Sequence, residues 1–415
     1  MILLSHPTAN QNVRQAALAL AGDGLLNEFW TCVSWNQGGI LDRLLAVAPP
    51  LRSELRRRSF SREVQPFLRT HGGREAGRHL ANLLGLTALV QGENAPFGID
   101  AVYLSLDRRV AQRLPHCLTT KAVYAYDGGA FLTFRAAKAR GLRCIYEHPV
   151  VHWRLVRQYQ EEEAALSPEW APTLGALSDS EEKLKRKDEE LALADAIVTP
   201  SSFARESLAL ARVVTAPVLV LPYGTVPGNS APRLAPLDKK LRVIYAGALS
   251  QAKGLGYLLE AAARLGNEIS LTLVGRRVST AIPSAAALER HRWIPSLAHR
   301  DLLEEMRQHD VLVLPSLHEG FGLVLLEAMA QGLVVVTTRH TAGPDLLTDG
   351  VEGWLVPVRS AEAIEEKLAL LACDRPRLEA MQEAAARKAA TLSWESYRRK
   401  LARLAREVIG IPAQR

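Results

Sequence analysis

Short apolar runs alternate with Ala- and Leu-rich helical stretches along most of the chain, and the alternation stops once and then restarts. "MILLSH" reads as a buried strand, followed by a loop and the helix "VRQAALALA". "FWTCVSW", "DAVYLSL", "KAVYAY", "LRCIYEH" and "ADAIVTP" read as further strands, with helical patterns such as "AFLTFRAAKARG" and "SFARESLALA" between some of them. "APVLVLPYG" closes this series, and residues 227–240, "PGNSAPRLAPLDKK", read as a linker, rich in proline and poor in apolar pattern. The second series runs "LRVIYAG", the helix "GLGYLLEAAARL", "ISLTLVG", "DVLVLPS", the helix "GLVLLEAMAQG" and "LVVVTT", and after 358 the pattern is helical. Strands alternating with helices require a parallel sheet covered on both faces, so the chain predicts two doubly wound α/β domains in series. Its 415 residues also exceed one ordinary core.

The net charge of +7 arises from 51 basic and 44 acidic residues intermixed, which suits an anionic ligand as well as it suits a polyanion. No motif of a nucleic-acid module accompanies it, so nucleic acid is not an expected partner. Cys32, Cys117, Cys144 and Cys373 are far apart and read as reduced thiols. The start of the chain lacks the basic and apolar regions of a signal peptide, and no stretch reaches the ~18 apolar residues of a spanning helix. The expected location is cytoplasmic, with peripheral contact at the inner face of the membrane.

Two insertions interrupt the first half. Residues 50–80 are arginine-rich, a composition that fits an anionic membrane surface or a phosphorylated acceptor. Residues 155–190, with "QEEEAALSPEW" and "DSEEKLKRKDEEL", read as solvated helix carrying i,i+4 charge pairs.

The stretch with the most chemistry is "PSLHEGFGLVLLEAMAQG", residues 315–332. It follows a buried strand, so its loop lies where open α/β sheets bind ligands. The helix beginning near Gly322 presents free amides and a positive dipole end suited to phosphate. Gly320 and Gly322 let backbone approach a ligand. Glu327 falls inside an apolar run, where a carboxylate needs donors such as adjacent ribose hydroxyls or a distant arginine.

This stretch resembles the retaining glycosyltransferases of GT-B family 4, whose signature places E-x7-E after "PS": here Ser316, Glu319-Gly320-Phe321-Gly322 and Glu327. "VIYAGALSQAKGLGYLLEAAARL" with Lys253-Gly254, "LTLVG" ending at Gly275, "HTAGPDLLTDGVEGWLVP" and "SWESYRRKLARL" resemble further family segments in order. The resemblance covers about 195–408 and implies two Rossmann-like, doubly wound domains facing a cleft, with a C-terminal helix crossing back. The expected division is an acceptor-side domain at 1–226, a linker at 227–240, a nucleotide-sugar domain at 241–395 and the returning helix at 396–415.

The resemblance also implies roles. Glu327 would hold ribose hydroxyls, and Glu319 with the amides of Gly320, Phe321 and Gly322 would face the donor sugar and diphosphate. Lys253 would neutralise the leaving diphosphate, Gly247 would open its loop, and Ile294 would make backbone contacts to the base. The arginine usual beside Gly247 is here Ala248, for which Arg276 or Arg277 is the available substitute, and Asp345 stands where Glu is usual. In the first half the resemblance thins: "HPTANQNVRQ" replaces a glycine-rich loop, so Asn10 and Asn12 are expected on the acceptor side. His148, after a strand as in the family, is the expected group near the reacting carbon, clustered with Glu147, His152 and Asp127.

The implied reaction moves a sugar from a UDP- or GDP-sugar to a saccharide or lipid-linked acceptor with retention, with no obligatory metal. The alternatives are a sugar phosphorylase or nucleotide-sugar epimerase on the same fold, and a non-catalytic nucleotide-sugar-binding subunit.

Overall fold

The computed structural model describes residues 1–35, 43, 56, 58–226, 228, 240–279 and 288–411, and among them the strands form two separate sheets. The first contains β1 (Ile2–Ser5), β2 (Leu26–Thr31), β3 (Leu68–Thr70), β4 (Ala122–Tyr126), β5 (Arg143–Glu147), β6 (Ala196–Thr199) and β7 (Val218–Val220), in the order β3-β2-β1-β4-β5-β6-β7. The second contains β8 (Leu241–Ala246), β9 (Ile269–Val274), β10 (Arg292–Ile294), β11 (Val311–Leu314), β12 (Val334–Thr338) and β13 (Gly353–Val356), in the order β10-β9-β8-β11-β12-β13. Every ladder is parallel. Inner strands such as β1, β4, β11 and β12 are buried along their whole length, which is why they read as continuous apolar runs.

Both orders reverse direction beside their first strand, between β1 and β4 and between β8 and β11. The loops after those four strands therefore open side by side at each sheet's switch point, the place where such folds bind ligands.

Three sequence expectations are corrected. "DAVYLSL" lies in the helix Ile99–Arg113, not in a strand. Val102, Leu106 and Val110 recur every four residues on its buried face, and that period overrides the strand preference of Val and Tyr. Of "FWTCVSW", only Phe29–Thr31 is strand, because the Cys32 amide turns away to bond the Pro7 carbonyl at 3.2 Å. The charged stretch 155–190 is not simply solvated: its helices Trp153–Leu166 and Glu181–Leu193 carry Glu163 and Glu190, both fully buried.

The arginine-rich segment lies partly outside the described residues. Its described part forms edge strand β3 and the helix Gly73–Leu83, with Arg58 paired to Glu75 at 3.0 Å. The 227–240 segment lies outside them except for residues 228 and 240. The helix Trp394–Val408 crosses back onto the helix Gln11–Gly22, where Arg398 donates to Gln15 Oε1 (2.6 Å) and Arg406 pairs with Asp23. Its buried stripe of Trp394, Tyr397, Leu401 and Ala405 supplies the apolar side of that contact. Among the described residues no helix is long and apolar enough to cross a membrane.

Candidate functional site at the facing switch points

At the second sheet's switch point, β8 leads through Gly247 into the short turn Gln251–Lys253, and β11 leads into the loop ending at Gly322. Gly322 caps the helix Leu323–Ala330 with φ +79°, a left-handed conformation that glycine adopts without strain. Among the described residues no side chain caps this helix, so its first amides, apart from that of Leu325, which bonds the Gly322 carbonyl (2.9 Å), remain available to an acceptor. Lys253 Nζ and the Glu319 carboxylate, contributed by the two adjacent loops, form an ion pair. The Glu319 amide donates to the His340 carbonyl (2.8 Å), which fixes the loop.

Glu327 is 8% exposed, and its Oε1 lies 2.7 Å from His299 Nε2. That hydrogen bond raises the His299 pKa, burial opposing it. The partner of Glu327 is thus a half-exposed histidine rather than an arginine. Gly247 donates its amide to Val274 (2.9 Å), and the Ile294 carbonyl accepts from Gly275 (2.9 Å) at the end of β10. Arg277 lies over the Trp293 ring, 4.3 Å from its centroid, and Trp293 Nε1 donates to the Gly275 carbonyl (2.9 Å).

Facing this, the loops after β1 and β4 line a cavity of about 610 Å³ with Asn10, Asn12 and Asp127, while Glu319, Phe321 and Gly322 form its other wall. An adjoining cavity of about 290 Å³ is lined by Lys253, His318, Glu319 and Gly320. Lys187 and Glu319 border both. Asn10 makes no capping bond, and Asn12 Nδ2 donates to Tyr223 OH (3.1 Å).

Burial would push the Asp127 carboxyl up, but Lys187 (3.4 Å), His148 (3.4 Å) and the Tyr146 hydroxyl (2.9 Å) outweigh it and hold the carboxyl well below its usual range. His148 is itself buried, its ring stacked on Tyr146 at 6.0 Å. Nδ1 reaches Asp127 at ion-pair distance, and Nε2 has no hydrogen-bond partner among the described residues. His152 turns away to Asp188 (3.3 Å) and caps the helix Trp153–Leu166.

Glu147 points into a hydroxyl cage, taking hydrogen bonds from Tyr124 and from Tyr223 (2.8 Å), with burial raising its pKa. The structure thus gathers Asn10, Asn12, Asp127, Lys253, Glu319, Gly320, Phe321 and Gly322 around two adjoining cavities. Gly247, Ile294, Glu327, Glu147 and His148 line neither.

Gly320 has a reason that the sequence did not show. A Cβ there would lie 2.0 Å from the Pro149 carbonyl, and the Gly320 carbonyl accepts from Ser201 Oγ (2.5 Å). Its missing side chain lets the two halves of the molecule touch. Phe321 does likewise, packing edge-on against Tyr223 at 5.1 Å.

Sequence reasoning missed Lys187, Glu190 and His299. Glu190 accepts from the amides of Gly128 (2.8 Å), Ala130 (3.0 Å) and Phe131 (3.2 Å), holding the loop that carries Asp127. Burial and the nearby Asp127 push its pKa up to about 8 against those amides. The available signal was Leu184, Lys187 and Leu191 on one helical face, with both leucines buried within an otherwise charged segment.

Residues 229–388 match the family model described as glycosyl transferases group 1. Over 189 residues the chain is 33% identical to the D-inositol 3-phosphate glycosyltransferases of Mycobacterium bovis (strain BCG / Pasteur 1173P2) and Mycobacterium tuberculosis (strain ATCC 25618 / H37Rv). That match spans 42% of this chain and 38% of those relatives' length. Among solved structures, sucrose-phosphate synthase from Thermosynechococcus elongatus superposes with a TM-score of 0.70 at 18% identity, covering 99% of both chains. Anabaena HepE, solved in complex with UDP and glucose, superposes with a TM-score of 0.63 at 15% identity, covering 97% of this chain and 98% of its own. With two doubly wound parallel sheets facing across a cleft, the chain has the GT-B fold of these structures, and its second half carries the match to the glycosyl transferases group 1.

Proposed function

We propose that the chain transfers a sugar from a nucleoside diphosphate sugar, bound at the second sheet's switch point, to a saccharide or lipid-linked acceptor at the first. The observation that carries this is convergence: Lys253 and Glu319, from adjacent loops, border cavities whose opposite wall holds Asn10, Asn12 and Asp127. In this reading Lys253 leaves Glu319 for the leaving diphosphate, a contact that strengthens as the bond to the sugar breaks. The amides at the start of the helix Leu323–Ala330 take the remaining phosphate charge. Glu327 exchanges His299 for the ribose hydroxyls, and the backbone at Gly247 and Ile294 borders the base.

Transfer proceeds with retention. The bond from the anomeric carbon to the phosphate oxygen breaks, the bond to the acceptor oxygen forms on the same face, and the acceptor proton passes to the departing phosphate. No enzyme nucleophile is needed, and no obligatory metal. Asp127 lines the cavity with His148 buried behind it, so His148 is proposed to act on the reacting centre through that carboxylate. Relatedness to structures solved with UDP, UDP-glucose or UDP-2-fluoro glucose favours a UDP-sugar donor over a GDP-sugar. The arginine-rich 50–80 segment is proposed to meet an anionic membrane surface on the cytoplasmic side.

The test is a thermal-shift panel of UDP-, GDP- and ADP-sugars and their nucleotides, each with and without Mg²⁺. One base should raise the melting temperature in proportion to its affinity, without need of metal. No response across the panel, with acceptor glycans present, overturns the donor site.

A further inference from the structure

The helix Trp153–Leu166 precedes β6 of the first sheet, yet its polar face is used by the second half of the molecule. The fully buried Glu163 carboxylate accepts from Gln251 Nε2 (2.7 Å), Tyr257 OH (2.7 Å) and Arg359 Nε (2.8 Å). One turn earlier, Gln160 donates to His318 Nε2 (3.1 Å) and accepts from the Ala176 amide (2.9 Å). Tyr159 stacks on His340 at 4.8 Å, and the His340 carbonyl holds the Glu319 amide. Gln251 is 1% exposed and opens the turn that ends at Lys253. Its amide donates to Thr173 Oγ1 (3.0 Å), and its Oε1 accepts from the Gly256 amide (3.0 Å).

We infer that Glu163 is a positioning residue for the diphosphate subsite: through Gln251 it fixes the turn that carries Lys253, so the docking of the two halves assembles that subsite. The inference rests on the proposed role of Lys253. A buried carboxylate is costly unless donors satisfy it, and an apolar side chain would hold two domains together as well. Two of its three donors, Gln251 and Tyr257, flank Lys253 within four residues. That placement distinguishes a loop support from a general domain contact.

The test is calorimetry on the full chain with uridine and with UDP, reading the ratio of the two affinities. Lys253→Ala, Glu163→Ala and Gln251→Met should each lower that ratio by about tenfold, the scale of one charge-assisted contact. Gln251→Met keeps volume and leaves Arg359 and Tyr257 on Glu163, so it guards against a Glu163→Ala that fails to fold. In the Lys253→Ala background, Glu163→Ala should lower the ratio no further, because both act through one ammonium. If Lys253→Ala leaves the ratio unchanged, the donor reading fails and this inference with it. If Lys253→Ala lowers it but Gln251→Met and Glu163→Ala do not, or if their effects add to it, Glu163 is structural only and the donor reading stands. A fall in melting temperature with an unchanged ratio likewise makes Glu163 structural only.

Discussion

His299 Nε2 lies 2.7 Å from Glu327 Oε1, so the carboxylate set in an apolar helix is satisfied by a histidine of the neighbouring helix His299–Met306. A ribose at Glu327 must compete with that ring. Glu327→Ala should therefore weaken nucleotide binding by roughly tenfold, the cost of hydrogen bonds to a charged group. Unchanged affinity in calorimetry sinks the ribose assignment.

The same pair gives a pH prediction. The His299 pKa is raised by Glu327, so the pair is strongest at low pH and weakens as pH rises through that pKa. Nucleotide affinity should increase as pH rises above the ordinary histidine value, and His299→Ala should flatten the profile. A rise that persists in His299→Ala assigns it to another group.

Lys253→Ala should lower kcat by about 10²- to 10³-fold, as removal of one preorganised donor does elsewhere, with a smaller effect on the donor KM. Loss confined to KM shows that the ammonium binds ground state and transition state alike.

Gly320→Ala places a methyl against the Pro149 carbonyl, backbone against backbone, where no side chain can move aside. Destabilisation of about 1–3 kcal/mol is expected in urea unfolding, and transfer should fall with it because Glu319 is the adjacent residue. Wild-type stability shows that the two halves separate easily there.

Acid should unfold the protein earlier than its carboxylates alone require. Burial lowers the pKa of both His6 and His152 to about 4, so each is neutral when folded and protonated more readily when unfolded. Their contribution is present above the unfolded value near 6.5 and is lost as pH falls toward about 4, by roughly 3 kcal/mol for each. Urea midpoints measured down that range should drop, and His152→Phe should reduce the slope.

The second half was legible in the sequence. Lys253, Glu319, Gly322 and Glu327 lie close to strand ends that announce themselves as apolar runs, so chain order alone sets each beside the switch point. The first half was read less well because its site is built from separated segments. Lys187 and Glu190 reach the β4 loop from a helix some sixty residues downstream, and only folding brings them to Asp127 and Gly128. The failed strand at "DAVYLSL" has a local cause: seven residues with alternating apolar side chains fit either period, and the continuation to Val110 decides for a helix.

The sequence by itself determined two doubly wound sheets and the second sheet's strand-end loops, because strand and helix periods and strand-end glycines are local properties. Tertiary structure alone decided why Gly320 must be small and why Glu163 is buried. It also decided what Glu327 holds and which way Glu147 faces. Each depends on an atom distant in the chain, and no local pattern encodes a partner that only packing supplies.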